Sequence, residues 1–310
     1  MIAQTFTFET KDKTDIFVYK WIPKDNIRGI VQIAHGVGEH GKRYKNFAKE
    51  LVKSGYAVYA NDHRGHGKTA KTPSQSDYFG NNCWNLMVED CRQLTEIIRK
   101  ENPHAAVFFF GHSMGSFLLR QYLYEYPRVI DGAILAGTGI YEKLLVDAGI
   151  LIIKRFINKG IDEKKSYHII NKILFKGFNS KIDNPKTNFD WLSRDDKTVQ
   201  DFINDPLCGI PRSIHFFYDF LCGIREVHKK ENVERIPKSI PIFIISGDKD
   251  PVGHWGSDIP ALAHKFGKAG IRDVTYRLYK DARHELFNEL NRAEVINDII
   301  AWLNSKNPLS

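Results

Sequence analysis

Apolar and polar positions change period several times along the chain, and each change marks an element. Thr5–Thr10 alternates with period two and predicts a strand, with Asp15–Trp21 as its hairpin partner across the polar turn Lys11-Asp-Lys-Thr14. Short unbroken apolar runs follow at Gly29–Ala34, Tyr56–Ala60, Ala106–Phe110 and Gly132–Gly137. Runs of that kind predict strands buried on both faces. Between them the period lengthens to that of a helix. Tyr44–Ser54 sets Tyr44, Phe47, Ala48, Leu51 and Val52 on one face and closes at Gly55. Leu86–Lys100 does the same with Leu86, Val88, Cys91, Leu94, Ile97 and Ile98, and Phe117–Tyr126 stops before Pro127. The stretch from Lys68 to Asn82 is polar and predicts a loop. Strands alternating with helices predict an α/β fold around a mostly parallel sheet.

The alternation breaks at about Thr138 and resumes after Ile236. Helices are predicted at Leu144–Ile157, Tyr167–Phe175, Thr198–Asn204 and Ile214–Val227, with a turn at Asn184-Pro-Lys-Thr187. Ile236–Pro241 is the return linker. Ile242–Ser246 and Asp273–Tyr279 then read as strands, Ala261–Gly270 and Ala293–Ser305 as helices. The expected organisation is one α/β core in two parts, 1–137 and 237–310, interrupted by a helical cap over 138–236.

Composition sets the bounds. At 310 residues and 42% hydrophobic, the chain is long enough for one sizeable core. The N-terminal Met1-Ile-Ala-Gln-Thr-Phe lacks the basic and apolar regions of a signal peptide, and no apolar run is long enough to span a bilayer. Cys83, Cys91, Cys208 and Cys222 show no metal or redox spacing and read as free thiols of a cytoplasmic protein. Net charge is +8, but the lysines are scattered and no nucleic-acid motif accompanies them. A basic solvated surface accounts for the charge, and weak attraction to anionic membranes is its functional counterpart. No obligate protein partner is expected.

The candidate chemistry collects where strands end. Ala106–Phe110 runs into Gly111-His-Ser-Met-Gly115 and then a helix. A sharp strand-to-helix turn there would strain Ser113, lift its hydroxyl clear of the sheet, and require glycine where strand and helix approach. A serine nucleophile needs a histidine base, and the base needs a carboxylate. In a sheet of this kind the chain order is Ser, Asp or Glu, His. Gly247-Asp-Lys-Asp-Pro-Val252 and Lys280-Asp-Ala-Arg-His284-Glu-Leu-Phe287 follow the next two strands. His284 is the expected base. Asp250, just before Pro251, is favoured as its partner over Asp248, with Asp281 a third candidate. The amide of Met114 and that of Val37, in the loop His35-Gly-Val-Gly-Glu-His-Gly41, are the expected oxyanion donors. His35 and His112 read as packed loop histidines. Asp62-His-Arg-Gly-His-Gly67 reads as a tight loop tied down by Asp62, with no metal expected. The apolar stretch Leu144–Ile157 fits either cap core or contact with membrane or acyl chains.

Together these blocks resemble the α/β-hydrolase superfamily and, within it, the monoacylglycerol lipase and lysophospholipase-like group. The resemblance rests on His35–Tyr44, Asp62–Gly67, Gly111–Gly115, Asn184–Thr187, Trp191–Asp195, Asp205–Gly209, Gly247–Val252 and His284–Phe287. It implies an α/β-hydrolase fold, a triad of Ser113, Asp250 and His284, an oxyanion hole at Val37 and Met114, and no cofactor. It also implies a small-molecule acyl ester as substrate. The alternatives are a short-chain carboxylesterase, a serine aminopeptidase, and a binding member of the fold. Ser113 at the elbow is unlike the aspartate of dehalogenase-like members, and His35-Gly-Val-Gly-Glu39 differs from the His-Gly-Gly-Pro-Gly of prolyl aminopeptidase-like ones.

Overall fold

The structure, a computed structural model, describes residues 1–70, 81–162, 164, 175 and 177–307. Most of the predicted loop before Asn82 and of the predicted helix Tyr167–Phe175 lies outside the described residues.

An eight-stranded sheet forms the centre: β1 (Ile2–Glu9), β2 (Asp15–Ile22), β3 (Gly29–Ala34), β4 (Tyr56–Asn61), β5 (Ala106–His112), β6 (Gly132–Ala136), β7 (Ile242–Gly247) and β8 (Val274–Tyr279). Their spatial order is β1-β2-β4-β3-β5-β6-β7-β8. β1 pairs antiparallel with β2 and β2 with β4; every other pairing is parallel. The chain goes from β3 to one side to form β4, then crosses to the other side to form β5. The order thus switches between β3 and β5, whose carboxyl ends are the usual place for a ligand in such sheets.

The central strands are buried on both faces, which is why they read as unbroken apolar runs. β5 shows the division. Phe109 packs with helices α2 (Cys83–Glu101) and α3 (Met114–Glu125) on one side. Phe108 and Phe110 pack on the other side with α1 (Lys45–Lys53) and the C-terminal helix, α9 (Arg292–Lys306). β1, at the sheet edge, is largely exposed, consistent with its alternating polar positions.

Between β6 and β7 the described residues hold α4 (Lys143–Asn158), α5 (Asp196–Asn204), α6 (Ile214–His228) and the short α7 (Lys230–Glu234). α6 lies directly against α2: a Cβ on Gly223 would stand 2.1 Å from the Trp84 ring. Asp219 of α6 accepts the Cys83 amide at 2.7 Å, joining the two helices. After β7 comes α8 (Asp258–Lys268), which starts before the predicted Ala261 because Pro260 is tolerated in a first turn. α3 likewise begins at Met114 rather than Phe117, so the turn before it is a single residue.

Candidate active site

Ser113 occupies that turn alone, with φ 52° and ψ −121°. A non-glycine residue held there stores about 1–3 kcal/mol of strain, which its surroundings must offset. The Ser113 amide donates to Ala136 of β6 at 2.9 Å, and the Ser113 carbonyl accepts the Ser116 amide at 2.9 Å and hydroxyl at 2.6 Å. The flanking glycines permit the approach. A Cβ on Gly111 would lie 2.4 Å from the Gly115 carbonyl oxygen, and one on Gly115 would lie 2.1 Å from that of Ala34.

His284 and Asp250 meet beside this turn. His284 follows β8, Asp250 follows β7, and both are fully buried. His284 Nδ1 stands 3.0 Å from each Asp250 carboxylate oxygen. Because a carboxylate only accepts, Nδ1 carries the proton and Nε2 is left as the basic nitrogen. Asp250 is itself held by the Ser246 hydroxyl at 3.0 Å and the Val252 amide at 2.9 Å. Among the described residues Asp248 makes no hydrogen bond to His284, and its amide donates to the Tyr279 carbonyl at 3.1 Å. Burial, the largest influence on His284, disfavours its charged form, but the charge and hydrogen bond of Asp250 outweigh it. With help from Glu285 and Glu39, the imidazole pKa rests above its ordinary value. The elbow and the base are close: a Cβ on Gly137, next to the Ala136 carbonyl that holds Ser113, would lie 2.9 Å from His284 Cε1. The Ser113 hydroxyl makes no hydrogen bond to a described residue.

The loop after β3 closes the other side. Gly36 is near enough to Ser113 that a Cβ on it would lie 3.1 Å from Ser113 Cβ. Among the described residues the Val37 amide takes no partner, and the Met114 amide, first in α3, lies outside the helical ladder. His35 is fully buried, donating from Nδ1 to the Gly36 carbonyl at 2.7 Å and accepting the His63 amide on Nε2 at 2.9 Å. Burial pushes its pKa well below the ordinary value, so it is a neutral strut.

A buried charge network beneath the elbow escaped the sequence reading. Glu39 Oε1 accepts the Gly36 amide at 2.7 Å, the Tyr44 hydroxyl at 2.9 Å and His112 Nδ1 at 3.1 Å. Its Oε2 accepts from Arg43 at 2.8 Å, and Arg43 pairs with both oxygens of Glu285, next to the base, at 2.6 and 2.7 Å. His112 Nε2 donates to the His284 carbonyl at 3.3 Å. Burial alone would raise Glu39, but the His112 bond and the Arg43 charge hold its pKa well below the carboxylate range. One carboxylate therefore joins the oxyanion loop, the elbow and the base loop.

Asp62 fastens the next loop by accepting the Gly41 and Lys68 amides, each at 2.7 Å. Arg64 ties that loop to Asp90 of α2 and to Asp12 in the first hairpin. His63 and His66 pack against His35. Among the described residues, the one group with metal-ligand chemistry is His40, Asp205 and Cys208, their ligand atoms within 4.8 Å of one another. There His40 Nε2 and Asp205 share a 2.9 Å hydrogen bond, and Gly209 N–H donates to the Gly38 carbonyl at 2.8 Å. These contacts join the insertion to the oxyanion loop.

Comparison with known proteins identifies the family. Residues 25–291 match the family described as serine aminopeptidase, S33. A monoacylglycerol lipase of Mycolicibacterium smegmatis is 26% identical, with 91% of this chain and 90% of the relative covered. The human monoglyceride lipase is 25% identical, with 94% and 87% covered. Among solved structures, a thermostable carboxyl esterase from Bacillus coagulans superposes with a TM-score of 0.91 at 32% identity, covering 98% of this chain and 99% of that one. With the switch in strand order and the strained serine turn, these matches settle the lineage: the chain belongs to this family of α/β-hydrolases.

Proposed function

We propose that this protein is a serine ester hydrolase that cleaves single-chain acyl esters, monoacylglycerols foremost, through an acyl-enzyme on Ser113. The observation that carries the reading is the Asp250–His284 pair, with its free basic nitrogen, set beside a serine held at positive φ. His284 Nε2 takes the Ser113 proton as the hydroxyl attacks the ester carbonyl, and Asp250 stabilises the imidazolium that forms. The amides of Val37 and Met114 hold the oxyanion. His284 then gives the proton to the leaving alcohol, and water repeats the cycle on the acyl-enzyme.

The acyl-glycerol assignment is supported by the lipase relatives and by the surface of α4. That helix buries Val146, Ile150 and Ile153, yet exposes Leu144, Leu145, Leu151, Ile152 and Phe156 beside Lys154 and Arg155. An apolar face flanked by basic residues suits peripheral docking on an anionic lipid surface, where a monoacylglycerol would reside. None of the described helices is long and apolar enough to cross a membrane. A second reading, a short-chain carboxylesterase, is favoured by the 32% identical esterase.

A matched panel tests the proposal: short- and long-chain monoacylglycerols, a lysophospholipid, a short-chain ester and an aminoacyl-proline amide, each with wild type and Ser113→Ala. The expected result is preferred turnover of monoacylglycerol, falling by about 10⁴–10⁶ in kcat in Ser113→Ala. Preference for the short-chain ester moves the assignment to a carboxylesterase. Preference for the amide moves it to a peptidase.

A further inference from the structure

The residues on both sides of His284 are fastened to the inserted segment as well as to the core. The His284 amide donates to the Trp191 carbonyl at 3.3 Å, and the Glu285 amide to the Leu192 carbonyl at 2.7 Å. Arg283 donates to the carbonyls of Asp190 and Ser193 at 2.7 and 3.0 Å. Further along, Arg194 pairs with Glu289 at 2.9 Å, and the Ser193 hydroxyl donates to the Asn288 carbonyl at 3.0 Å. Trp191, Leu192 and Ser193 are all buried. This piece of the insertion has left the cap and become the wall of the base loop.

Its side chain at the base is Trp191. The indole centre stands 4.9 Å from the His284 ring centre, the planes inclined at 43°. His112 stands 4.7 Å from the same imidazole. The base is thus packed against two rings. Trp191 is well supported: Phe178 meets it edge-on at 4.8 Å, Phe175 stacks at 6.1 Å, and its amide donates to Asn179 at 2.9 Å. The charged and titratable groups around His284 are Asp250 after β7, His112 at the end of β5, Glu39 after β3, and Glu285 with its partner Arg43. Both ring nitrogens of His112 face acceptors, Glu39 and the His284 carbonyl, so none of these groups offers a π face to a cation.

We infer that Trp191 is a positioning residue for the catalytic base: it fixes the His284 ring from one side and stabilises the imidazolium that forms as Ser113 attacks. The indole lies within the roughly 6 Å at which an aromatic ring attracts a cation, in a site closed to water. The inserted segment then contributes to the chemical step as well as to the wall of the base loop. The inference rests on His284 being the base proposed above.

The test compares Trp191→Phe and Trp191→Leu with wild type on a soluble short-chain ester. Leu keeps the site apolar and loses the π face; Phe keeps a ring. The neutral imidazole is the active form, so the acid limb of kcat/KM reports the His284 pKa in the free enzyme. Losing the ring weakens the charged form, lowers that pKa and moves the limb to lower pH. Trp191→Leu is expected to lose about fivefold or more in kcat with KM within twofold, and to move the acid limb down by ~0.5 pH unit, with Phe in between. The His284 Nδ1–H resonance, titrated by NMR in folded protein, gives the same ordering without turnover. A limb that stays or rises in Trp191→Leu overturns the inference, as does a change in KM alone. Ser113→Ala run alongside separates the two readings. If it keeps full activity, the assignment of the site falls; if it is inactive while Trp191→Leu behaves as wild type, only the role of Trp191 falls.

Discussion

The floor of the site and the outer helix of the insertion are built on opposite terms. Beneath Ser113, Glu39 has a hydrogen-bond partner for each oxygen, Arg43 spans two carboxylates, and both of those carboxylates are shut away from water. On α4, by contrast, apolar side chains line the buried face and the solvent face alike, with Leu144 79% and Leu145 70% exposed. An exposed apolar stretch of this kind on a helix is ordinarily covered. The floor is complete in itself because misplacing an oxyanion donor slows the reaction directly. The outer face of α4 is incomplete, and the proposed lipid surface would complete it.

Breaking the floor should have the larger effect. Glu39→Gln keeps the size of the side chain but sets an amide NH₂ or an uncharged oxygen against Arg43 and removes one acceptor. Arg43 keeps Glu285, so the cost stays below the about 3–5 kcal/mol of a fully severed buried pair, and a measurable fall in melting temperature is expected. In protein that remains folded, kcat should fall on the order of 10²-fold, because the Gly36–Val37 backbone loses its anchor. KM should change much less. A Glu39→Gln enzyme with wild-type kcat would show that the oxyanion loop holds its shape without the network.

The outer helix should respond in the other sense. Leu144→Ser with Leu145→Ser is expected to leave kcat on a soluble short-chain ester within about twofold, since neither side chain is buried. Sedimentation with vesicles containing an anionic phospholipid should fall severalfold, as two large apolar side chains no longer enter the lipid. Equal sedimentation of variant and wild type would leave α4 without a membrane role.

The two regions also differ in how far they could be read from the residue pattern. Strands such as Gly29–Ala34 were legible because burial on both faces leaves an unbroken apolar run between turns. Ser113, Asp250 and His284 stand out because each lies in a short local motif directly after a strand. The Glu39 network carries no such signal. Glu39 and His112 are 73 residues apart, and Arg43 and Glu285 are 242 apart, so only the topology brings them together. Trp191 is a related case. Its motif resembles a cap segment, but the hydrogen bonds of Arg283–Glu285 draw it into the wall beside the base. The start of α3 was obscured because Gly115 and Ser116 are weak helix formers that the elbow requires for close packing. In α4, periodicity revealed the helix but not which apolar face would be buried.

The central claim, that Ser113 forms the acyl-enzyme, is tested most directly by treating folded wild type and Ser113→Ala with a fluorophosphonate and mapping the adduct by peptide mass spectrometry. The account predicts a single stoichiometric adduct on the peptide containing Ser113, formed in step with loss of esterase activity and absent from Ser113→Ala. An unlabelled Ser113 in folded, ester-hydrolysing protein, or an adduct on another residue that tracks the loss of activity, would contradict it.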